Sequence, residues 1–346
     1  MTPIKTDILI IGAGPIGLFT VFEAGLLKMR CHLMDVLPHV GGQLTEIYPK
    51  KPIYDIPGCP MIMAIDLVNN LKKQIEPFRP TFTLGERADR IEQKIDGSFM
   101  ITGHSGTIIE AKVIVIAGGL GCFEPRKPPI PDIEKFEGKG VDYFVKQPED
   151  YNGQRIVIAG GGDSALDWTI ELADIAQSVT LIHRRTSFRG APDSVDKVLK
   201  LVKDNKVNLI TNAEVVELEG KIKLEATIVE YNAERLRVEA DCFLPLFGLT
   251  PKLGPIADWG LAVDKTAINV NPLDYSTNIK GIYAVGDINT YPGKLKLILC
   301  GFHEATLMCQ SAFHHIHPEQ KLSFKYTTVT GIEGFESNNI KDTPLV

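Results

Sequence analysis

One pattern occurs twice in this chain, and it constrains the fold more than any other feature. A short apolar run, Asp7 to Ile11, breaks into Gly12-Ala13-Gly14-Pro15-Ile16-Gly17. A helical pattern follows from about Pro15 to Lys28, then a second apolar run, Cys31 to Met34, that ends at Asp35. At Arg155 to Ala159 the pattern restarts with Gly160-Gly161-Gly162, a helical stretch, and an apolar run from Val179 to Ile182. The leading glycines, Gly12 and Gly160, stand 148 positions apart. Short apolar runs bounded by glycine suit strands buried on both faces, as in parallel sheets. Two such strand–glycine–helix–strand units predict an α/β chain of two domains, for which 346 residues is an appropriate length.

The breaks in the pattern place the boundaries. Glu124 to Pro131 is proline-rich and suits neither a helix nor a central strand. A second Pro/Gly stretch runs from Phe247 to Pro255. Between Asp35 and the first boundary, an amphipathic helix is expected over Ile65 to Phe78, and strands over Gly97 to Ala117 with a turn near Ser105-Gly106. After the second boundary come a strand at Ile282 to Val285 and a helix from about Phe302 to His315. The tail, 317–346, has weak periodicity and is expected to be an irregular appended element.

Bulk properties exclude several classes. A formal net charge of -6 argues against general nucleic-acid binding, which needs a basic field. No apolar stretch approaches the roughly 20 residues of a membrane span. Met1 to Asp7 lacks the features of a signal peptide, so a cytoplasmic location is expected. The six cysteines show neither C-x-x-C nor zinc spacing, which predicts reduced structural thiols and no metal.

Three motifs carry chemistry. In the first glycine loop, Gly12 permits the tight turn, Gly14 lets a pyrophosphate approach the backbone, and Gly17 lets helix and strand pack closely. Pro15 opens the helix, whose amides and dipole stabilise phosphate. Asp35, 23 residues after Gly12, can accept hydrogen bonds from both ribose hydroxyls of an adenosine and would repel a 2′-phosphate. In the second loop, Gly160-Gly161-Gly162-Asp163-Ser164-Ala165, the following strand ends in His183-Arg184-Arg185, with Arg189 close behind. Guanidinium groups at a ribose edge suit a 2′-phosphate, so this unit reads as an NADPH site. The third motif, Gly281 to Asp287, is a buried strand ending in Gly286-Asp287, whose carboxylate can bind the hydroxyls of a ribityl chain. A helix starting near Gly301 would aim its positive end at a flavin ring.

In this order, the three motifs resemble the two-dinucleotide-domain flavoproteins of the thioredoxin reductase type, over nearly the whole chain. Those enzymes carry a redox C-x-x-C just before the second glycine loop; here Val141 to Tyr151 contains no cysteine, which rules out that dithiol route. Gly41-Gly42-Gln43-Leu44 with Tyr48-Pro49, Tyr54-Asp55, Phe123-Glu124-Pro125-Arg126-Lys127, and Gly160 to Trp168 with His183-Arg184-Arg185 are similar to the ferredoxin–NADP reductases of thioredoxin-reductase-like type. The resemblance implies two Rossmann-like domains of the three-layer ββα type. An NADPH-binding domain, 123–248, is inserted in an FAD-binding domain, 1–122 and 249–346. It implies FAD contacts at Asp35, Gln43, Tyr48, Ala88, Phe123, Asp287 and a C-terminal hydroxyl, matched to Thr328 with Thr327 beside it. It also implies a homodimer in which an aromatic ring of the 317–346 extension covers the partner's flavin. Tyr326 matches best, ahead of Phe324 and Phe335, so that Tyr48 and Tyr326 would stack on the two faces of the ring.

The activity implied is hydride transfer between NADP(H) and FAD, and single-electron transfer between FAD and ferredoxin or flavodoxin, with no protein acid or base. The Pro/Gly links near 118–128 and 247–255 are candidate hinges for domain rotation. Lys50, Lys51, Lys72, Lys73, Lys294 and Lys296 are candidates for a basic patch facing an acidic carrier. Three other readings compete: a reductase of a thioredoxin-like partner, a flavin monooxygenase, and a non-catalytic FAD/NADPH redox sensor. Phe136 to Phe144 resembles a Baeyer–Villiger signature, but Asp142 stands where that signature needs His.

Overall fold

A computed structural model of the chain describes residues 2–121, 124–250, 252–322, 327 and 331–336. The chain forms two compact units, 1–122 with 251–346, and 123–250. Leu249–Thr250 pairs antiparallel with Glu124–Pro125, which places both ends of the second unit side by side.

In the first unit, β1 (Ile4–Ile11), α1 (Pro15–Leu26) and β2 (Cys31–Asp35) form the opening β-α-β. β1 is parallel to β2 on one side and to Ile108–Ile116 on the other. Thr81–Leu84 extends the parallel sheet beyond β2, and Ile282–Ala284 extends it beyond Ile108–Ile116. The first half of Ile108–Ile116 has a different neighbour. There it pairs antiparallel with Phe99–Gly103, which pairs in turn with Ala88–Gln93. One long strand is thus shared between a parallel sheet and an antiparallel meander.

The alternation along β1 shows why two layers flank it. Ile8 and Ile10 pack with Leu18, Val21 and Ala24 of α1, with Leu67, Val68 and Leu71 of the Ala64–Ile75 helix, and with Met308 and Ala312 of the Ile298–Ile316 helix. Leu9 and Ile11 face the other way, toward Phe99, Ile101, Trp259 and Ile268. The run Ile8 to Ile11, apolar at every position, carries the signature of burial on both faces.

The second unit repeats the plan. Its parallel sheet runs in the order Val207–Thr211, Ser178–His183, Arg155–Ala159, Cys242–Pro245. Val157, Ala159, Ile182 and Phe243 pack with Ala213, Leu218 and Val229 of a three-stranded antiparallel sheet, Ala213–Glu219, Ala226–Tyr231 and Glu234–Glu239. The fold is therefore α/β, with three layers in each unit. The antiparallel sheet supplies the second β layer implied by the resemblance, but neither its strands nor the Pro192–Lys203 helix was read from the residue pattern. The amphipathic helix expected over Ile65 to Phe78 is an α-helix to Ile75 followed by a short 3-10 turn, Glu76–Phe78. The last helix begins at Ile298, earlier than expected. No helix among the described residues is long and apolar enough to cross a membrane.

His32 on β2 is 1% exposed, with its ring nitrogens 2.7 Å from Thr81 Oγ1 and 2.9 Å from Thr83 Oγ1. Burial pushes its pKa down to about 4. The unfolded chain takes up this proton near pH 6.5 and the folded chain does not. The stability involved is therefore complete above about pH 6.5 and lost as pH falls toward 4, by about 3 kcal/mol. Denaturant titrations between pH 7 and 4 should show this loss, and His32→Gln should flatten it. An unchanged slope in that variant assigns the acid sensitivity to other groups.

Candidate functional site

The two glycine loops present matching cradles. Gly12 has φ +111°, and a Cβ there would meet Ala117 O at 2.4 Å. Gly17 admits α1 so closely that a Cβ would lie 2.0 Å from Gly12 O. Gly14 differs: its nearest neighbour would be Gly42 Cα at 4.0 Å, so the space above it is open. A concave backbone with an open glycine at a helix N-terminus fits a pyrophosphate. In the second loop, Gly160 would meet Ala165 Cβ at 2.7 Å and Gly161 the His183 ring at 2.1 Å, while Gly162 meets nothing within 4 Å. Gly162 immediately precedes the Asp163–Leu172 helix, as Gly14 precedes α1.

The ribose edges of the two loops are chemically opposite. Asp35 accepts the Ala13 N–H at Oδ2 (2.6 Å) and the Leu37 N–H at Oδ1 (2.9 Å). Each oxygen keeps a lone pair for a further donor. Burial raises the Asp35 pKa, and the backbone N–H groups of Ala13 and Leu37 oppose that rise. Ala88 starts a strand just after Glu86, whose N–H donates to Asp35 O at 2.9 Å, so Ala88 lies near the Asp35 end.

At the second loop, His183 is 7% exposed, donates from Nε2 to Ser187 O (3.0 Å), and stacks on Phe188 at 4.9 Å. Arg189 N–H donates to Gly161 O (2.7 Å) and Ala191 N–H to Asp163 Oδ1 (2.7 Å). The 184–191 loop is thereby pinned beside the glycines. Arg184, Arg185 and Arg189 are exposed on it, and Ser164 is exposed on the helix. Among the described residues, no carboxylate lies within 4.0 Å of these three guanidinium groups. The Asp163 carboxylate is tied to this loop, which leaves its backbone N–H at the helix start to the cradle.

Elsewhere in the first unit, Asp287 follows the Ile282–Ala284 strand and is half-buried. Among the described residues its carboxylate has neither a hydrogen-bond nor an ion-pair partner. Burial raises its pKa; the Lys296 and Lys294 charges lower it. An unpartnered half-buried carboxylate costs free energy unless a ligand satisfies it, which fits a polyol chain. The Tyr48 phenol is pushed up to about 12, first by burial and then by the Asp287 and Asp55 charges. Gln43 opens the Gln43–Glu46 turn of helix, with its Nε2 3.2 Å from where a Gly119 Cβ would stand.

The tail and the lysines need correction. Phe123, Phe324, Tyr326 and Thr328 lie outside the described residues, and Thr327 is exposed. Phe335 packs edge-on against Phe78 at 6.3 Å, lies 4.5 Å from the Arg30 guanidinium, and its N–H donates to Pro77 O (2.9 Å). Phe78 fills the space beside Gly25, at the C-terminal end of α1. At 1.5 Å per residue, that is roughly 16 Å along α1 from Gly14. Phe335 is therefore engaged in packing within its own chain, at the C-terminal end of α1. Lys294 is removed from the docking candidates, because its side chain is 7% exposed and ion-paired with Glu304. Glu304, 0% exposed, is the residue that sequence inspection missed.

Val141 to Tyr151 has no cysteine, and the second unit contains only Cys242. That thiol is 2% exposed, and burial raises its pKa, with Asp142 adding to the effect. No dithiol is available in this unit. Among the described residues, no group of three His, Cys, Asp or Glu side chains could hold a metal ion.

Two glycine cradles on a repeated α/β plan define a nucleotide-dependent oxidoreductase, and the chain belongs to the pyridine nucleotide-disulphide oxidoreductase family, which it matches over residues 6–305. Its curated relatives narrow the comparison. Ferredoxin–NADP reductase of Flavobacterium johnsoniae is 62% identical over 342 residues, covering 99% of this chain and 97% of the relative. Ferredoxin–NADP reductase 1 of Christiangramia forsetii is 62% identical over 340 residues, covering 97% and 96%. Among solved structures, the thioredoxin reductase of Lactococcus lactis in its FR conformation matches with a TM-score of 0.79 at 25% identity, covering 91% of this chain and 100% of that one.

Proposed function

We propose that this chain is a ferredoxin–NADP reductase: it binds FAD in its first unit and NADP(H) in its second, and passes electrons between NADP(H) and ferredoxin. The observation that carries the reading is the contrast between the two cradles. One ribose edge holds the Asp35 carboxylate, and the other holds three guanidinium groups without carboxylate partners.

Each residue then has a definite task. The amides after Gly12 and Gly14 hold the FAD pyrophosphate, with Pro15 and Gly17 shaping the helix start. Asp35 holds the adenosine ribose, with Ala88 at that end of the sheet. Asp287 takes the ribityl hydroxyls, and Gln43 and Tyr48 border the ring. Tyr48 remains a neutral phenol at working pH and offers an apolar face for stacking. Gly160, Gly162, Asp163 and Ser164 form the second phosphate cradle, His183 supports it from behind Gly161, and Arg184, Arg185 and Arg189 clamp the 2′-phosphate. Bound FAD supplies the chemistry that links a two-electron hydride donor to a one-electron carrier. Phe123, Tyr326, Thr327 and Thr328 complete the FAD site in this reading, with Tyr326 as the second stacking ring. The protein is a cytoplasmic homodimer. Lys50, Lys51, Lys72, Lys73 and Lys296 remain for an acidic ferredoxin or flavodoxin.

The test is cytochrome c reduction by the purified FAD-loaded protein with NADPH, with and without ferredoxin. Ferredoxin is expected to stimulate the rate, NADPH to outperform NADH, and oxidised thioredoxin to remain unreduced. Artificial acceptors reduced well without any gain from ferredoxin would reject ferredoxin as the partner, and flavodoxin would then replace it in the same assay. Light scattering should give twice the 38.1 kDa of one chain.

A further inference from the structure

The Gly286-Asp287 turn is held by a pair of buried charges to which the proposed mechanism gives no task. Glu304 sits on the Ile298–Ile316 helix and is 0% exposed. Its Oε2 accepts the Gly286 N–H at 2.7 Å and the Asn289 side-chain amide at 2.9 Å. Its Oε1 accepts the Tyr291 hydroxyl at 2.9 Å and pairs with the Lys294 ammonium. Lys294 also donates to Gly286 O at 2.9 Å. Both polar groups of one residue, Gly286, are thus gripped by side chains of opposite charge. That residue has φ +79°, in the left-handed region that glycine enters freely, so its own backbone restrains the turn little.

A buried ion pair is a weak source of stability, since well-packed apolar residues of similar volume often serve as well or better. A pair kept here is better explained by orientation. We infer that Lys294 and Glu304 are positioning residues that lock Gly286 and thereby aim the neighbouring Asp287 carboxylate at the ribityl hydroxyls of FAD, an inference that rests on the FAD site proposed above. The arrangement suits the task electrostatically. Lys294 and Glu304 act on Asp287 in opposite senses, so the pair adds rigidity while each offsets part of the other's field.

A double-mutant cycle on FAD affinity separates positioning from general support. Apoprotein is titrated with FAD, followed by flavin fluorescence, for the parent chain, Glu304→Gln, Asp287→Ala and the double variant. Glu304→Gln is expected to raise the FAD Kd about tenfold in the parent and less than about twofold once Asp287 is Ala. Equal weakening in both backgrounds, or none in either, overturns the positioning role while leaving the FAD site intact. If Asp287→Ala itself leaves the Kd unchanged, Asp287 is not an FAD residue, and the site assignment fails together with the inference. Should Glu304→Gln give unfolded apoprotein by circular dichroism, Lys294→Gln, which keeps a donor beside Gly286 O, runs the same cycle under the same criteria.

Discussion

Replacing Arg184 and Arg185 together by alanine is expected to raise the KM for NADPH by about 100-fold while moving that for NADH by less than about threefold. The estimate takes each charge-assisted hydrogen bond to a phosphate as worth about 1.4 kcal/mol at this exposed site, the low end of its range, and each such loss is a factor of ten. Exposure keeps the figure low, because solvent screens both partners. The asymmetry between the two nucleotides is the diagnostic part. NADH lacks the 2′-phosphate, so it loses nothing specific when the guanidinium groups go. Steady-state kinetics with a one-electron acceptor would measure both constants, and equal rises for both nucleotides would sink the 2′-phosphate assignment. Arg189, on the same pinned loop, is left in place and sets the residual preference.

The second large effect separates two glycines three residues apart. Gly17→Ala forces a Cβ to within 2.0 Å of Gly12 O, a backbone atom that cannot step aside alone. Helix α1 must lift from β1, and a loss of about 2–3 kcal/mol in apoprotein stability is expected. Gly14→Ala meets nothing closer than 4.0 Å and its φ of -71° suits any residue, so the apoprotein should unfold at nearly the parent temperature. Its added methyl occupies the space assigned to the pyrophosphate, however, and FAD affinity should drop by about 100-fold, or about 2.7 kcal/mol. Thermal unfolding of the apoprotein combined with FAD titration measures both quantities. Tight FAD binding by Gly14→Ala would show that the pyrophosphate does not pass over that residue.

What could be read from the sequence was whatever is written locally. The opening β-α-β unit and its repeat are consecutive in sequence, and a strand buried on both faces is apolar at every position, so both were legible. The antiparallel sheet of the second unit was not. Its outer strand, Glu234–Glu239, is largely exposed and polar, and it is tied to its partners by Arg235–Glu217 and Arg237–Glu219 ion pairs across the sheet. Its alternation is confined to Leu236 and Val238, the first of them exposed, and its register depends on strands elsewhere. The central pair also carries a bulge between Val215 and Glu217, which breaks the two-residue period. Glu304 was hidden for a related reason. A single Glu in an amphipathic helix reads as solvent-facing, and only the arrival of the Gly286 turn from another strand buries it. Lys294 was misjudged as a docking cation because, in sequence, nothing distinguishes it from Lys296 two positions on. The arginines of the 184–191 loop were legible because they follow directly on a strand end. The way Asp163 ties itself to Ala191, 28 residues away, was not.

The packing of residues 331–336 changes how any shortening of this chain should be interpreted. Lys28 Nζ holds Glu333 O at 2.9 Å, Gly334 lies so close to Pro77 that a Cβ would reach its oxygen at 2.3 Å, and Phe335 covers Phe78, which is itself 2% exposed. A cut after Glu336 spares this patch, whereas a cut after Leu322 strips it and leaves an aromatic side chain uncovered at the end of α1. The two truncations are therefore different perturbations. Slow turnover in the shorter form would report a damaged scaffold as readily as a missing catalytic ring. Only a variant that keeps 331–336 seated and alters the segment before it can assign a kinetic role to that segment.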